Sequence, residues 1–458
     1  MTRTVAPAVD AAEPDGSPSV TRSAPDGNKA DRNLPWRAII LFGVKILGVG
    51  LSFLMNIVLV RLIGVEGFGL FSFAVSALMI LEIIAIFGFE SVLVREIAAS
   101  RERQDTARVR GLVLFCCGAV LLLSLVGATL TTALVKFVLP STWVYGNTLA
   151  IAVWALPASA LLVATMSVLE GHRWPFFGQI VSVVLRPGFI LAGALIYVSA
   201  DWSMTAETAA GIMVFAYGFG LLLLIGYLLY LLGGAFWRGR IKIEPKHWFS
   251  TAAGFAFVNA AFIITEQTDV MMLAALSDPA SVGIYRAAAR YGQVLSFALL
   301  AAMPVLRPML STAFTRGDRE ALHKGCRQVA LISLVVGLPI ATAFVLFGDI
   351  FMGLFGPEFV EGSTALSILV AGQLLAIAAG PVGVLMAMTG HERKVAVAIG
   401  LSFICNVVLN FFLIPLFNLE GAATSTAISL AVWNIIMLVW VIRHMRINPT
   451  LIGRPIRG

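Results

Sequence analysis

The chain has 458 residues, 59% hydrophobic and only 12% charged, with a mean hydropathy of +0.92. A soluble protein of this size would leave large apolar patches in water, so the composition excludes a water-soluble globular domain and makes lipid the solvent. The net charge of +7 and the pI near 9.4 would suit nucleic acid, but the excess is spread over the gaps between apolar segments as membrane insertion requires, and nucleic acid is not expected as a partner.

In chain order, residues 1–35 are rich in Pro, Asp, Ser and Ala and lack the apolar region of a signal peptide; they are expected to form a disordered cytoplasmic tail. Apolar stretches long enough to cross a hydrocarbon core, roughly 20 residues each, then predict transmembrane helices over 37–62, 68–95, 109–138, 147–170, 175–199 and 208–232. A basic cytoplasmic linker follows over 236–247. Six further helices are predicted over 249–276, 282–310, 325–347, 363–389, 395–417 and 420–443, before a cytoplasmic tail over 446–458. The expected domains are an N-terminal six-helix lobe, 36–235, and a C-terminal six-helix lobe, 248–445.

The loop charges orient this bundle, because Lys and Arg near helix ends stay on the cytoplasmic side during insertion. Arg101, Arg103, Arg108 and Arg110, then Arg173, then Arg238, Arg240, Lys242 and Lys246, then Arg316, Arg393, Lys394 and Arg443 all fall in alternate gaps. The opposite gaps are acidic or nearly neutral, with Arg61 and Lys136 as basic exceptions. Both termini are therefore expected in the cytoplasm.

The two halves echo each other. Gly67-Phe68-Gly69-Leu70-Phe71 resembles Ser281-Val282-Gly283-Ile284-Tyr285, Leu93-Val94-Arg95 resembles Val305-Leu306-Arg307, and Glu170-Gly171-His172-Arg173 resembles Gly390-His391-Glu392-Arg393. With six helices per half the repeat is parallel, so the predicted fold is an all-α integral membrane protein with 12 transmembrane helices in two parallel six-helix lobes around a central cavity. Pro187, Pro304, Pro308, Pro339 and Pro381 fall inside predicted spans, where neighbouring helices can satisfy the freed backbone groups.

No catalytic constellation fits this topology. His172, His247, His323, His391 and His444 all map to cytoplasmic gaps or helix ends, and no extramembrane segment is large enough for a soluble catalytic domain. Cys116, Cys117, Cys326 and Cys405 match no metal spacing and read as small buried hydrophobes. No phosphate-binding loop is present; no enzyme activity and no cofactor are expected.

The informative residues are charges inside spans, each costing roughly 2.5–3.5 kcal/mol at a helix centre and therefore needing a cavity or a partner. Lys45, Glu82 and Arg186 fall near mid-membrane; Glu266 and Asp269 fall in the seventh helix, at a depth similar to Arg286 and Arg290 in the eighth. One reading is structural: Lys45 paired with Glu82, Glu266 and Asp269 paired with Arg286 and Arg290, and Arg186 bonded to carbonyls freed by Pro187. The other is functional: Lys45, Arg186, Arg286 and Arg290 face a cleft and hold an anionic group, for which the planar fork of arginine suits phosphate. On that reading Glu82, Glu266 or Asp269 is available to a coupling ion.

Arg61-Leu62-Ile63-Gly64-Val65-Glu66-Gly67-Phe68-Gly69 and Gly88-Phe89-Glu90-Ser91-Val92-Leu93-Val94-Arg95-Glu96 resemble the opening of polysaccharide-transporter flippases. Thr268-Asp269-Val270-Met271-Met272-Leu273 and Val282-Gly283-Ile284-Tyr285-Arg286-Ala287-Ala288 are similar to that family's seventh and eighth helices, with Asp269 and Tyr285 at positions common in its pattern. The family belongs to the multidrug, oligosaccharidyl-lipid and polysaccharide exporter superfamily. The resemblance implies flipping of an undecaprenyl-diphosphate-linked oligosaccharide, an O-antigen or exopolysaccharide repeat unit, across the bacterial cytoplasmic (inner) membrane by alternating access. Implied partners are that lipid-linked oligosaccharide, membrane lipids, and the polysaccharide polymerase with its chain-length machinery. The alternative is a cation-coupled multidrug or small-molecule antiporter of the same superfamily, which would favour acidic rather than basic residues in its cavity.

Overall fold

A computed structural model describes residues 34–316, 318–445 and 447–450. The expected tails lie largely outside the described residues: 1–33 at one end, Arg446 and 451–458 at the other. The chain forms two compact units, 1–43 and 44–458. Of the first, the described part is helical; the rest of this description concerns the second.

Every regular element among the described residues is helical. The helices are α1 (Leu34–Ile86), α2 (Phe89–Glu102), α3 (Thr106–Val138), α4 (Gly146–Gly171), α5 (Pro175–Ser199), α6 (Ala206–Trp237), α7 (Pro245–Leu276), α8 (Pro279–Thr315) and α9 (Arg319–Leu346). They continue with the short α10 (Gly348–Gly353), a 3-10 turn over Pro357–Gly362, α11 (Ser363–Ala379), α12 (Val382–Met388) and α13 (Glu392–Trp440). Among the described residues eight helices are long and apolar enough to cross a membrane, or nine if the two limbs of α7, Pro245–Ala261 and Ile263–Leu276 meeting at 44°, count as one span.

Two of the eight exceed one crossing: Gly43–Ile86 has 44 residues and Glu392–Met445 has 54, or about 66 and 81 Å of helix against a hydrocarbon core of about 30 Å. Each is broken at one residue with non-helical backbone. In α1 the break is Gly64, at φ 73 and ψ 176, a conformation glycine adopts without a Cβ clash. In α13 it is Asn418, at φ 50 and ψ −124. Its side chain is clamped from the α7–α8 corner, donating to Ser281 Oγ at 2.7 Å and accepting from Ser277 Oγ at 2.5 Å. The stretch predicted as one helix over 68–95 is also interrupted, at Phe87 and Gly88, both with positive φ.

Packing follows the chain halves. One apolar core runs from Leu59 to Ala252; a second joins Val60 and Phe68 of α1 to residues of α7, α8 and the C-terminal helices; a third, built from Leu306, Leu322, Cys326, Met386, Met437 and others, uses C-terminal residues alone. Among the described residues this third core takes no residue from the N-terminal half. The first limb of α7 belongs to the N-terminal core through Trp248 and Ala252, although the sequence assigns 248 onward to the second lobe. Phe249 stacks on Phe87 with centroids 4.8 Å apart, and Asn259 donates to Glu90 Oε1.

The segment after α6 is pinned beneath this end. Arg108 bridges Glu96 at 2.9 Å and Glu244 at 3.1 Å, and Lys242 reaches Glu244 at 2.9 Å. The Lys242 hydrogen bond holds the Glu244 carboxyl below its ordinary value.

At the opposite end the halves are sealed together. Arg61 donates from Nε and Nη2 to the Leu354 carbonyl at 3.2 and 3.0 Å. Phe53 meets Tyr291 and Phe355 edge-on, at 4.9 and 5.5 Å between centroids. Tightest of all is the crossing of α1 and α8, where a Cβ on Gly69 would lie 1.7 Å from the Pro279 carbonyl oxygen and one on Gly283 would lie 2.6 Å from that of Val65. These are the two glycines that correspond in the sequence repeat.

Gly69→Val is therefore expected to force the halves apart and to destabilise the protein by about 1–3 kcal/mol, the usual cost of overpacking. Thermal unfolding in detergent, with Gly50→Ala as a control in open space, checks this; equal melting of both variants would contradict the close crossing.

Candidate functional site

The charged residues within the apolar helices fall into two groups, one in each half of the chain. In the N-terminal half, a π-type turn over Val181–Leu185 delivers Arg186 at the start of the following α-helical segment, with Pro187 in its first turn, where a missing N–H costs nothing. Arg186 Nη1 donates to Tyr217 Oη of α6 at 3.2 Å, and its guanidinium lies over the same ring, 5.0 Å from the centroid. Tyr217, and not a freed carbonyl, is its recorded partner. Glu82 of α1 feels the charge of Arg186 and faces the Ser159 hydroxyl of α4. Lys45 is exposed and makes no ion pair with Glu82.

In the C-terminal half, Arg286 and Arg290 are one turn apart on α8. Arg286 is buried and donates to Gln267 Oε1 at 3.4 Å; Arg290 donates to Gln293 Oε1 at 3.3 Å, and its Nε is buried with no partner. Glu266 is attracted to both arginines without a direct ion pair. Arg290 is also close enough to Arg186 for their charges to interact. Each of the three arginines makes one recorded hydrogen bond among the described residues, leaving most of its five donors free for a ligand or water.

Asp269 stands apart. It is 6% exposed and holds four neutral donors: Tyr285 Oη at 2.9 Å, Thr426 Oγ1 at 2.6 Å, Asn406 Nδ2 at 2.9 Å and Asn410 Nδ2 at 2.8 Å. One carboxylate thus joins α7, α8 and both limbs of α13. Asn406 and Asn410, at i,i+4 on an apolar helix, and Thr426 were not singled out from the sequence. The signal available was two asparagines on one face of a lipid-length segment. Tyr217, Ser159, Gln267 and Gln293 were likewise missed, since single neutral polar residues in such helices carry little signal.

Residues 37–314 match the family described as Polysaccharide biosynthesis protein, and residues 255–412 match the MatE family. The chain belongs to the polysaccharide biosynthesis protein family. Among individual proteins it is 26% identical over 165 residues to the probable low-salt glycan biosynthesis flippase Agl15 of Haloferax volcanii, covering 36% of this chain and 35% of that protein. It is 28% identical over 163 residues to an uncharacterized membrane protein of Methanocaldococcus jannaschii, covering 34% and 30%. The matches thus span about a third of the length of these curated relatives.

The fold is shared with solved transporters. An inward-facing multidrug resistance MATE family transporter of the MOP superfamily superposes with a TM-score of 0.70 at 14% identity, over 89% of this chain and 98% of that one. The lipid II flippase MurJ in an inward closed conformation gives a TM-score of 0.70 at 11% identity, over 88% and 87%. These solved structures are a transporter and a flippase, and the chain has their multi-pass helical fold.

Asp269→Asn is expected to replace an oxygen that accepts two of the four donors by an NH2 group and to cost about 1–3 kcal/mol, whereas Tyr285→Phe, which leaves three donors, is expected to cost about 0.5–1.5 kcal/mol. Thermal melting of both variants in detergent checks the order; an Asp269→Asn variant as stable as wild type would remove the carboxylate from its central place.

Proposed function

We propose that the protein flips undecaprenyl-diphosphate-linked oligosaccharide repeat units from the inner to the outer leaflet of a bacterial cytoplasmic membrane, for polysaccharide biosynthesis. Arg186, Arg286 and Arg290 hold the diphosphate. The observation that carries the reading is that Arg186, Arg286 and Arg290, drawn from both halves, have no direct carboxylate partner among the described residues, with Arg186 and Arg290 near enough for their charges to interact. Unpaired charge inside a membrane protein is retained where a cavity or ligand receives it, and guanidinium binds phosphate oxygens through paired charge-assisted bonds. The family, a glycan biosynthesis flippase among the relatives and a flippase among the structural neighbours support the same class.

On this reading the chain makes 12 crossings in two parallel six-helix lobes, 36–235 and 248–445, with the breaks at Gly64 and Asn418 as turns between crossings. The basic ends, the linker over 236–247 and both tails face the cytoplasm. The cleft opens between the lobes at the basic end, while Arg61, the aromatic contacts around Phe53 and the Gly69–Gly283 crossing close the other. Alternating access exchanges these two states, and the lipid tail stays in the bilayer while the sugars occupy the cleft. Glu82 and Glu266, which have no direct ionic partner, are the groups open to a coupling ion; Asp269, filled by four donors, holds the second lobe together. Lys45 joins the phosphate-binding set at the edge of the cleft. A polysaccharide polymerase and its chain-length machinery would receive the flipped unit.

The test is transport of a fluorescent undecaprenyl-diphosphate oligosaccharide in proteoliposomes. Arg186→Ala and Arg290→Ala are expected to reduce the rate roughly ten- to hundredfold, as loss of a charge-assisted bond of about 1.5–3 kcal/mol implies, while melting as wild type does. Wild-type protein that ignores this lipid yet exchanges an organic cation against a proton or sodium gradient would replace the reading with an antiporter.

A further inference from the structure

At the basic end of the C-terminal half, the ends of α8, α9 and α13 with the residues that follow α13 line a cavity of about 500 Å³, within the range of small-molecule sites of about 300–1,000 Å³. One wall is apolar, formed by Phe314 and Leu322. The other is built around Trp440, near the C-terminus of α13. Lys394 Nζ sits over the indole at 4.2 Å from its centroid, His444 stacks on it at 4.8 Å and 10°, and His391 lies tilted against it at 4.5 Å. One indole thus gathers three nitrogen bases from both ends of the same broken helix.

The polarity of this wall is one-sided. Among the described residues no carboxylate lines the cavity. Glu320, on the neighbouring end of α9, is paired with Lys324 at 2.7 Å, and Asp318 is spent on the Ala321 amide at 2.9 Å. Glu392 is exposed next to His391, but Arg393 and Arg443 are exposed beside it. Lys394 makes no ion pair among the described residues. The first turn of α13 opens on the cavity at His391 with no side chain capping its amides, so its N–H groups add to the positive end of the helix.

A tryptophan close to a helix end, beside basic residues, is placed at the depth where lipid headgroups lie. We propose that this pocket binds the headgroup of an anionic phospholipid, with Lys394, His391, His444 and the α13 amides on the phosphate and Phe314 and Leu322 against the glycerol and first acyl carbons. A basic pocket between helix ends on the positively charged side is suited to such a headgroup. A bound lipid would tie the end of α13 to its start and to the tips of α8 and α9. The site does not depend on what crosses the cleft.

The experiment is native mass spectrometry of the delipidated full chain, titrated with phosphatidylglycerol and with phosphatidylcholine of identical acyl chains. Wild type is expected to retain one phosphatidylglycerol with a preference of roughly fivefold or more, since each cationic side chain near a membrane surface contributes about that factor. Lys394→Gln/His444→Gln is expected to lose the preference, and Lys324→Gln, at the same end but paired with Glu320, to keep it, both melting as wild type does. Equal retention of the two lipids by wild type, an undiminished preference in the double variant, or displacement of phosphatidylglycerol by millimolar inorganic phosphate would each overturn the proposal; the last would make the pocket a site for free phosphate.

Discussion

Three arginines within the apolar helices, Arg186, Arg286 and Arg290, with no ion pair among the described residues, are the constraint on which the proposed function depends. The charges of Arg186 and Arg290 interact, and Glu82 and Glu266 offset them without an ion pair. Full pairing would make the cleft inert, because a buried ion pair with ideal geometry has little reason to open for a ligand. Partial compensation leaves the arginines charged and their donors free, a state stable only while water or an anion occupies the space. The scaffold has to hold these charges apart: Tyr217 fixes Arg186 from the side, and Gln267 and Gln293 do the same for the α8 pair.

The same half that carries two of the arginines is held by a charge treated in the opposite way. Asp269 is surrounded by Tyr285, Thr426, Asn406 and Asn410, so its negative charge is spread over four hydrogen bonds that reach three helices. Charge-assisted bonds of this kind are about twice as strong as neutral ones, and together they tie α7, α8 and the two limbs of α13 to one carboxylate. Between the halves run the Gly69–Gly283 crossing, the Arg61 bonds to Leu354, the aromatic contacts of Phe53 and the core that joins α1 to α8.

Much of this was legible in the sequence. The all-helical class, the long apolar helices and the break at Gly64, which falls in the gap expected between residues 62 and 68, follow from hydropathy, a local quantity. Gly69 and Gly283 emerged as an echo, but their contact did not, since a glycine in an apolar helix says nothing of what approaches it. Pairing was the least legible. Asp269 was grouped with Arg286 and Arg290 by depth, yet its partners lie more than a hundred residues downstream on α13. Lys45 was set against Glu82, while the structure puts Arg186 and Ser159 near that carboxylate. Which face of a helix meets which neighbour is decided by the whole bundle, and neutral residues such as Asn406 and Tyr217, which complete the networks, carry no insertion penalty large enough to mark them.

The electrostatic character of the cleft is open to direct measurement without removing any of its charges. Gln293 is exposed and bonded to Arg290, so a Gln293→Cys variant places a thiol beside the arginines. Its reaction rates with an anionic and a cationic methanethiosulfonate of similar size, corrected for the native cysteines, report the local field. The anionic reagent is expected to react about tenfold faster at low salt, with the ratio falling as ionic strength rises. Equal rates, or a preference for the cationic reagent, would contradict a cleft built to receive an anion.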